Sequence, residues 1–256
     1  MASLANEDVS FGEIADVLEK DTVMAGNVLR MVNSALYSWS GTINSVRHAV
    51  SLMGLTKLRN TVMTLSVSRM LNHKDVPPSW SPAQFNLHGT ASAILADLLA
   101  VELHVEYPEG AFAAGLLQNI GMLLIAVSQP KEHERIRDLC VRGSQDLSEA
   151  ERFVLDLDHS ELSAEALAQW NLPAPIREAV RFHHRPEDAG PGMTLARAVA
   201  AADRISCLRG IPAQPWLPPP QGNLLDCLDE LGLTHKAERI LQAFENEYEL
   251  TRSFFR

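Results

Sequence analysis

Seven residues of this 256-residue chain carry groups that could meet in one reactive cluster: His88, Gln118, Asn119, His159, His183, His184 and Asp203. Imidazoles and carboxylates bind divalent metals and move protons near neutral pH, so this set has the makings of a metal or acid–base centre. Gln118-Asn119 is out of keeping with that chemistry. A neutral carboxamide can neither bridge two cations as a carboxylate does nor replace the basicity of an imidazole. The pair also stands inside the apolar run Ala-Gly-Leu-Leu-Gln-Asn-Ile-Gly-Met-Leu-Leu at 114–124. Taken singly, each histidine reads first as a hydrogen-bonded core residue and only second as a ligand.

The segments that must position these residues read as helices. Ser81, Pro82 and Gln84 give an N-cap, a first-turn proline and a capping-box glutamine, opening a helix predicted to run to about Leu103 with His88 on its Phe85, Ser92, Leu95 face. Ala111 to Val127 reads as one buried core helix with two interior glycines, short of the roughly 20 residues of a membrane span. Asp158 with Glu161 makes a capping box that places His159 just inside a helix running to Trp170, and Ser148 with Glu151 is expected to cap the helix before it. After a turn at Pro173 and Pro175, a helix to about His184 puts Ile176, Ala179, Val180 and His183 on one side. Asp203 lies in a helix from about Thr194 to Arg209, with Gly210 suited to its C-terminal cap.

Strand signals are nearly absent and helix signals recur elsewhere. Ser10 with Glu13 makes a box before Ile14, Val17 and Leu18; Asp21 caps a stripe of Met24, Val28, Met31 and Ala35; Ser45 caps a short helix ended by Gly54. The next run, Leu55 to Leu71, follows so tightly that the pair resembles a helix-turn-helix. Lys131 to Arg142 is a charged amphipathic helix. The stretch 211–222 has five prolines and reads as an extended linker or surface strap. Beyond it, Asn223 to Leu231 and Thr234 to about Arg252, split at Gly232, form a helix pair with an Ala237, Ile240, Leu241, Phe244, Tyr248 stripe. That pair is too small to hold a core alone and must pack on the main body or on a partner, with Phe254-Phe255 docking. The expected organisation is all-α: a helical domain over 1–210, a strap over 211–222 and a helix pair over 223–256.

A hydrophobic content of 46% supports a buried core. The N-terminus has no basic region followed by an apolar stretch, so no signal peptide is read there. Cys140, Cys207 and Cys227 are odd in number and lack metal-type spacing, which suits reduced core cysteines of a cytoplasmic protein. Net charge is −10, which repels nucleic acid overall. Yet 22–74 holds no acid and the six cations Arg30, Arg47, Lys57, Arg59, Arg69 and Lys74, leaving 16 basic against 32 acidic groups elsewhere. This asymmetry suggests a face for an acidic partner, with Arg47, Lys57 and Arg59 as candidates. The alternative is that a tightly packed apolar segment simply has few charges.

Several motifs recur together. Asp21-Thr22-Val23-Met24, Leu29 to Tyr37, Ile43 to Leu55, Phe85 to His88, Gly115-Leu116-Leu117 on to Gly121, Asp158-His159, Trp170-Asn171-Leu172-Pro173 and His183-His184 resemble, in order, the HDOD (HD-related output domain) family of bacterial signalling proteins, over about Ser10 to Arg209. Thr22 departs from the proline common there. The usual opening helix is missing or shortened, as though the chain were a fragment or had lost a preceding domain. The resemblance implies an HD-domain-like helical bundle related to HD and HD-GYP phosphohydrolases, which bind metal through a histidine, a His-Asp pair, further histidines and a last aspartate. On that pattern His88 matches the first histidine, Gln118 and Asn119 replace the His-Asp pair, His159 and His183 or His184 match the later histidines, and Asp203 matches the last aspartate.

With the central pair neutral, the resemblance implies a non-catalytic bacterial signal-transduction module, without cofactor or metal, acting through protein contacts in the cytoplasm. Its expected partners are signalling proteins or a second copy of the chain, not nucleic acid and not a membrane. The degenerate pocket would then be a satisfied polar network, a site for a small anion or nucleotide, or a residual metal site. The rival functions are a metal-dependent phosphohydrolase or phosphodiesterase with a reduced ligand set, and a nucleic-acid-binding regulator using Ser45 to Leu65.

Overall fold

Apolar residues at helical spacing, interrupted by capping residues and glycines, build helices and no strand among the described residues of the computed structural model, which are 22–33, 43, 45–70, 76–143, 145–192 and 194–252. In chain order these are α1 (Thr22–Val32), α2 (Val46–Met53), α3 (Leu55–Met70), α4 (Pro82–Leu103), α5 (Ala111–Leu117), α6 (Ile120–Ser128), α7 (Pro130–Gly143), α8 (Leu147–Leu155), α9 (His159–Gln169), α10 (Ala174–Arg181), α11 (Leu195–Leu208), α12 (Leu224–Asp229) and α13 (Ala237–Arg252). The expected Ser10–Glu13 box with Ile14, Val17 and Leu18, the Asp21 cap, Ala35, Lys74 and Phe254-Phe255 lie outside the described residues, as do the side chains of Met31, Arg47 and Arg69.

Helix α4 is the axis of the molecule, with α5, α11 and α13 packed along it. Its Phe85, Ile94, Leu95 and Leu99 are buried in a core that also takes Leu117 of α5, Ile205 of α11 and Phe244 of α13. Alanines 91, 93, 96 and 100 keep α4 slim, so its neighbours approach closely. Gly115 marks the closest approach, since a Cβ there would stand 2.6 Å from the Ser92 carbonyl oxygen and 2.9 Å from Ala93 Cα. Gly121 does the same on the other side, pressed against the His159 carbonyl of α9. Helices α1 to α3 enclose a smaller core of their own, including Met24, Val28, Val46, Leu58 and Val62, while Met63 and Val67 on α3 face the main core.

The segment Ala111–Val127 departs from the single helix expected of it. It breaks after Leu117 and restarts at Ile120, with Asn119 at φ −101°, ψ 10° in the junction. The amides of Gln118 and Asn119 turn towards polar partners on α4 and α11 rather than continuing an apolar stripe. Counted with its lead-in turn, Pro108–Ser128 spans 21 residues and is long and apolar enough to cross a membrane, contrary to the shorter length expected; 89% of its apolar window is buried inside the protein, which makes it a core element.

Two caps also differ. Helix α8 starts at Asp146, whose Oδ1 accepts from Ser148 N at 2.9 Å; Ser148 is not the cap, and Glu151 is turned towards His159 instead. Ser81 does cap α4, accepting from Gln84 N at 3.2 Å, but the Gln84 side chain donates to the Pro212 carbonyl at 2.8 Å rather than closing a capping box. That bond belongs to a set pinning the start of the proline-rich stretch to α4. Gln214, fully buried, accepts from Ser81 N at 2.8 Å. Prolines offer carbonyls without competing N–H donors, so the donors of α4 use them. From there the chain leads to α12, capped by a reciprocal Asn223–Asp226 box, and to α13, whose Ala237, Ile240, Phe244 and Tyr248 enter the main core. Glu102 of α4 holds Lys236 at 2.7 Å and also pairs with Arg239.

Two expectations about stability follow from this packing. Gly121→Ala forces α6 off α9 and is expected to lower the unfolding free energy by about 1–3 kcal/mol in urea titrations. Asp97 on α4 is lifted to about 6 by burial first and the Glu247 charge second, against Arg59 and an Asn60 hydrogen bond. A carboxyl raised in the folded state contributes stability below its unfolded value, near 4, that is lost as pH rises through about 6. Relative to the parent protein, Asp97→Asn is therefore expected to be more stable at about pH 7.5 than at about pH 4, by roughly 1–2 kcal/mol.

Candidate functional site

The close approach of α4, the α5–α6 junction and α11 brings His88, Gln118, Asn119 and Asp203 together. His88 is 1% exposed. Its Nδ1 donates to the Ile211 carbonyl at 2.7 Å, which leaves Nε2 facing Asp203 Oδ1 at 3.0 Å. The Asn119 amide lies 3.0 Å from the same Nε2, and Gln118 Nε2 donates to Asp203 Oδ1 at 2.8 Å. Ser92 and Ser206, bonded to each other at 3.2 Å, line the edge. Burial opposes charge on His88, but the hydrogen bond and charge of Asp203, helped by Cys207, raise it to about 10. Burial likewise opposes the Asp203 anion, and the His88 hydrogen bond and charge hold that carboxyl well below the usual range. The two form an imidazolium–carboxylate pair. Each charge offsets the cost of burying the other.

His159, His183 and His184 form a second group, with ligand atoms all within 4.8 Å of one another. The α9 capping box fixes its base: Asp158 accepts from Glu161 N at 3.0 Å and from Ser160 Oγ at 2.5 Å, and Arg152 bonds its other oxygen at 2.6 Å. Glu151, 2% exposed, accepts from both His159 N at 2.8 Å and His159 Nδ1 at 2.6 Å. Burial opposes charge on His159, and the charge and hydrogen bond of Glu151 outweigh it, so its pKa is raised. His184 is brought down to about 4 by burial and by the His159 charge, and His183 is held well below the ordinary value by burial and both neighbouring rings. His159 Nε2 and His184 Nε2 lie 2.9 Å apart, close enough to share one proton between them. His183 donates Nδ1–H to the Val180 carbonyl at 2.7 Å, while its Nε2 is buried with no partner.

All seven sequence-identified residues thus fall into two adjoining groups, coupled through the Asp203 charge acting on each histidine of the second. The metal that the resemblance implies meets different conditions in each. Around His88, Nδ1 is held by the Ile211 carbonyl and Nε2 faces Asp203 Oδ1, so that group could hold a metal ion only by giving up its ion pair. The three-histidine group, where His183 Nε2 is buried without a partner, fits a metal ion better. Sequence reasoning missed Glu151, assigned to a cap, and Cys207, assigned to the core. Cys207 lies one turn after Asp203, an i, i+4 spacing that was legible in the sequence; the approach of Glu151 to His159 depends on the bend between α8 and α9 and was not. Of the cationic candidates, Arg59 is half-buried and donates to the Glu109 carbonyl at 3.5 Å, and Lys57 lines a cleft with Asn60, Glu247 and Thr251.

Removing one member of a buried ion pair strands the other charge. Asp203→Asn is expected to cost about 3–5 kcal/mol of unfolding free energy near neutral pH, whereas Asn119→Ala, which removes a neutral partner, is expected to cost about 1–2 kcal/mol in the same urea titrations.

The fold has solved counterparts. An HDOD domain protein of unknown function from Geobacter sulfurreducens superposes with a TM-score of 0.80 at 24% identity, covering 99% of this chain and 88% of its own. A protein from Marinobacter aquaeolei VT8 named for signal transduction gives 0.77 at 24% identity, covering 98% of this chain and 56% of its own. One from Shewanella amazonensis SB2B that carries a phosphohydrolase name gives 0.76 at 25% identity, covering 98% and 92%. The chain spans 48% of the length of a curated relative from Treponema pallidum, an uncharacterized protein 24% identical over 255 residues. The HDOD domain family model matches residues 1–186, most of the chain and all but one of the seven site residues, and the protein belongs to the HDOD domain family.

Proposed function

We propose that this protein is a non-catalytic regulatory module of bacterial signal transduction, working in the cytoplasm by contact with other signalling proteins or with a second copy of itself. The observation that carries this reading is the commitment of both amide nitrogens, Gln118 Nε2 at 2.8 Å and Asn119 Nδ2 at 3.4 Å, to Asp203 Oδ1 beside His88. Where a hydrolase of this kind needs ligands that hold a metal and activate water, two neutral amides complete a hydrogen-bonded ion pair instead. A buried network with its charges matched is suited to holding helices in one arrangement, and that is what a contact-transmitting module requires. The family membership and the signalling name of one structural neighbour support the same view. The contact surface proposed is the α2–α3 pair, with Arg47, Lys57 and Arg59.

The three histidines favour one alternative, a phosphohydrolase with a reduced ligand set, which is also the name one neighbour carries. Protein incubated with manganese, iron or magnesium and assayed on phosphodiester and nucleotide substrates separates the two. The expected result is turnover no greater than that of the Asp203→Ala variant. Turnover that scales with bound metal and disappears in that variant would contradict the proposal.

A further inference from the structure

We infer that the turn at Gln214–Leu217 is a pH-sensitive clasp, held against α4 and α7 by a neutral His133 ring packed on two indoles and released when that ring takes up a proton. This goes beyond the regulatory reading and holds whether or not that reading is right.

The clasp is made by aromatic contact. His133 of α7 is 4% exposed. Its ring centroid lies 5.7 Å from that of Trp80, in the lead-in to α4, and 5.9 Å from that of Trp216, with both indoles edge-on to it at 65° and 80°. Trp80 is fixed, being buried and 4.9 Å from the Phe85 ring, with its backbone N donating to the Pro77 carbonyl at 2.9 Å. Trp216 is half-buried, on a turn closed by Leu217 N donating to the Gln214 carbonyl at 3.1 Å, with Pro215 exposed beside it. Of the two indoles, Trp216 is the one placed to leave.

The polar atoms make this contact depend on charge. Both ring nitrogens of His133 are buried without a partner, and so is Nε1 of each indole. A neutral imidazole leaves one donor and one acceptor unmet there, whereas an imidazolium brings a second N–H and a full charge. Burying that charge without an acceptor costs more than the roughly 0.5–1.5 kcal/mol that an aromatic pair contributes. Departure of Trp216 admits water to the ring and hydrates the indole N–H, so protonation and release favour each other.

Little else acts on the ring. Burial comes first in holding His133 below the ordinary histidine value, with Arg137 adding to it and Glu134 opposing. Glu134 is itself engaged by Ser79 and by Arg137, each at 2.6 Å. Residues 76–81, α6 and the stretch 211–222 carry no charged side chain. On α8, Glu151 and Arg152 are turned to His159 and Asp158, and Glu149 is exposed; on α4, His88 is paired with Asp203, and Asp97 and Glu102 lie in the second half of the helix. The turn is also joined to the His88 pair, because the same stretch supplies Gln214 to Ser81, the Pro212 carbonyl to Gln84 and the Ile211 carbonyl to His88.

A histidine lowered in the docked state stabilises docking fully above its free value, near 6.5, and that stability is lost as pH falls. The test follows the isotopically labelled full chain by NMR from about pH 7.5 to about pH 5, with the Trp216 indole assigned through Trp216→Phe. The ratio of released to docked turn, read from exchange of the Leu217 amide corrected for its intrinsic pH dependence, is expected to rise about tenfold per pH unit below about 6.5. Over the same range the Trp216 indole signal is expected to move towards that of a solvated indole while the Trp170 signal stays in place. His133→Phe, which keeps an aromatic ring and takes no proton, is expected to hold the Leu217 amide protected throughout. His133→Gln, a second neutral replacement, is expected to show no pH dependence at Leu217, whatever its level of protection. A Trp216 signal and Leu217 protection that stay constant down to about pH 5 overturn the clasp. The same pH-dependent loss in both variants, or a loss that Trp170 shares, also overturns it.

Discussion

A buried carboxylate with a buried imidazolium organises this molecule. Asp203 on α11 and His88 on α4 are 3.0 Å apart, and each is charged against its own desolvation because the other is charged too. Isolated, either ion would be too costly to keep inside a core. The pair therefore requires α4 and α11 to stay in register, requires the α5–α6 break that brings two amides to the same point, and requires the Ile211 carbonyl at the start of the proline-rich stretch to receive the remaining proton. Three regions far apart in sequence, α4, the α5–α6 junction and the stretch from α11 to Ile211, are tied at one place. Glycines at 115 and 121 let the backbones come near enough for it.

The same arrangement gives the functional reading its physical content. A reactive centre keeps groups whose protons or ligands can change hands around neutral pH. In the His88 group the ring Nδ1, Asp203 Oδ1 and the amide nitrogens of Gln118 and Asn119 are engaged, while Gln118 Oε1 and Asn119 Oδ1 are buried without a partner. Beside it, His183 Nε2 is also buried without a partner, and the Asp203 charge bears on the histidines of both groups.

Much of this was legible in the sequence, at different levels of certainty. Local signals placed the helices well where capping residues fixed them, as at Ser81 and Asp158. They failed where a side chain had a distant partner: Gln84 looked like half of a capping box but reaches Pro212, and Glu151 looked like another but holds His159. Periodicity also missed the break at Gln118-Asn119, because apolar residues continue on both sides and only the tertiary partners of the amides explain the turn. The site residues could be identified by motif order, yet their division into two groups depends on which nitrogen meets which acceptor, and no one-dimensional pattern encodes that.

The central claim, that His88 and Asp203 form a buried ion pair tying α4 to α11, is tested most directly by following the His88 ring by NMR as pH is raised. The account predicts that the ring keeps both protons through about pH 7 and that Asp203→Asn abolishes this. A ring that loses its second proton below about pH 7 in the parent protein would contradict it.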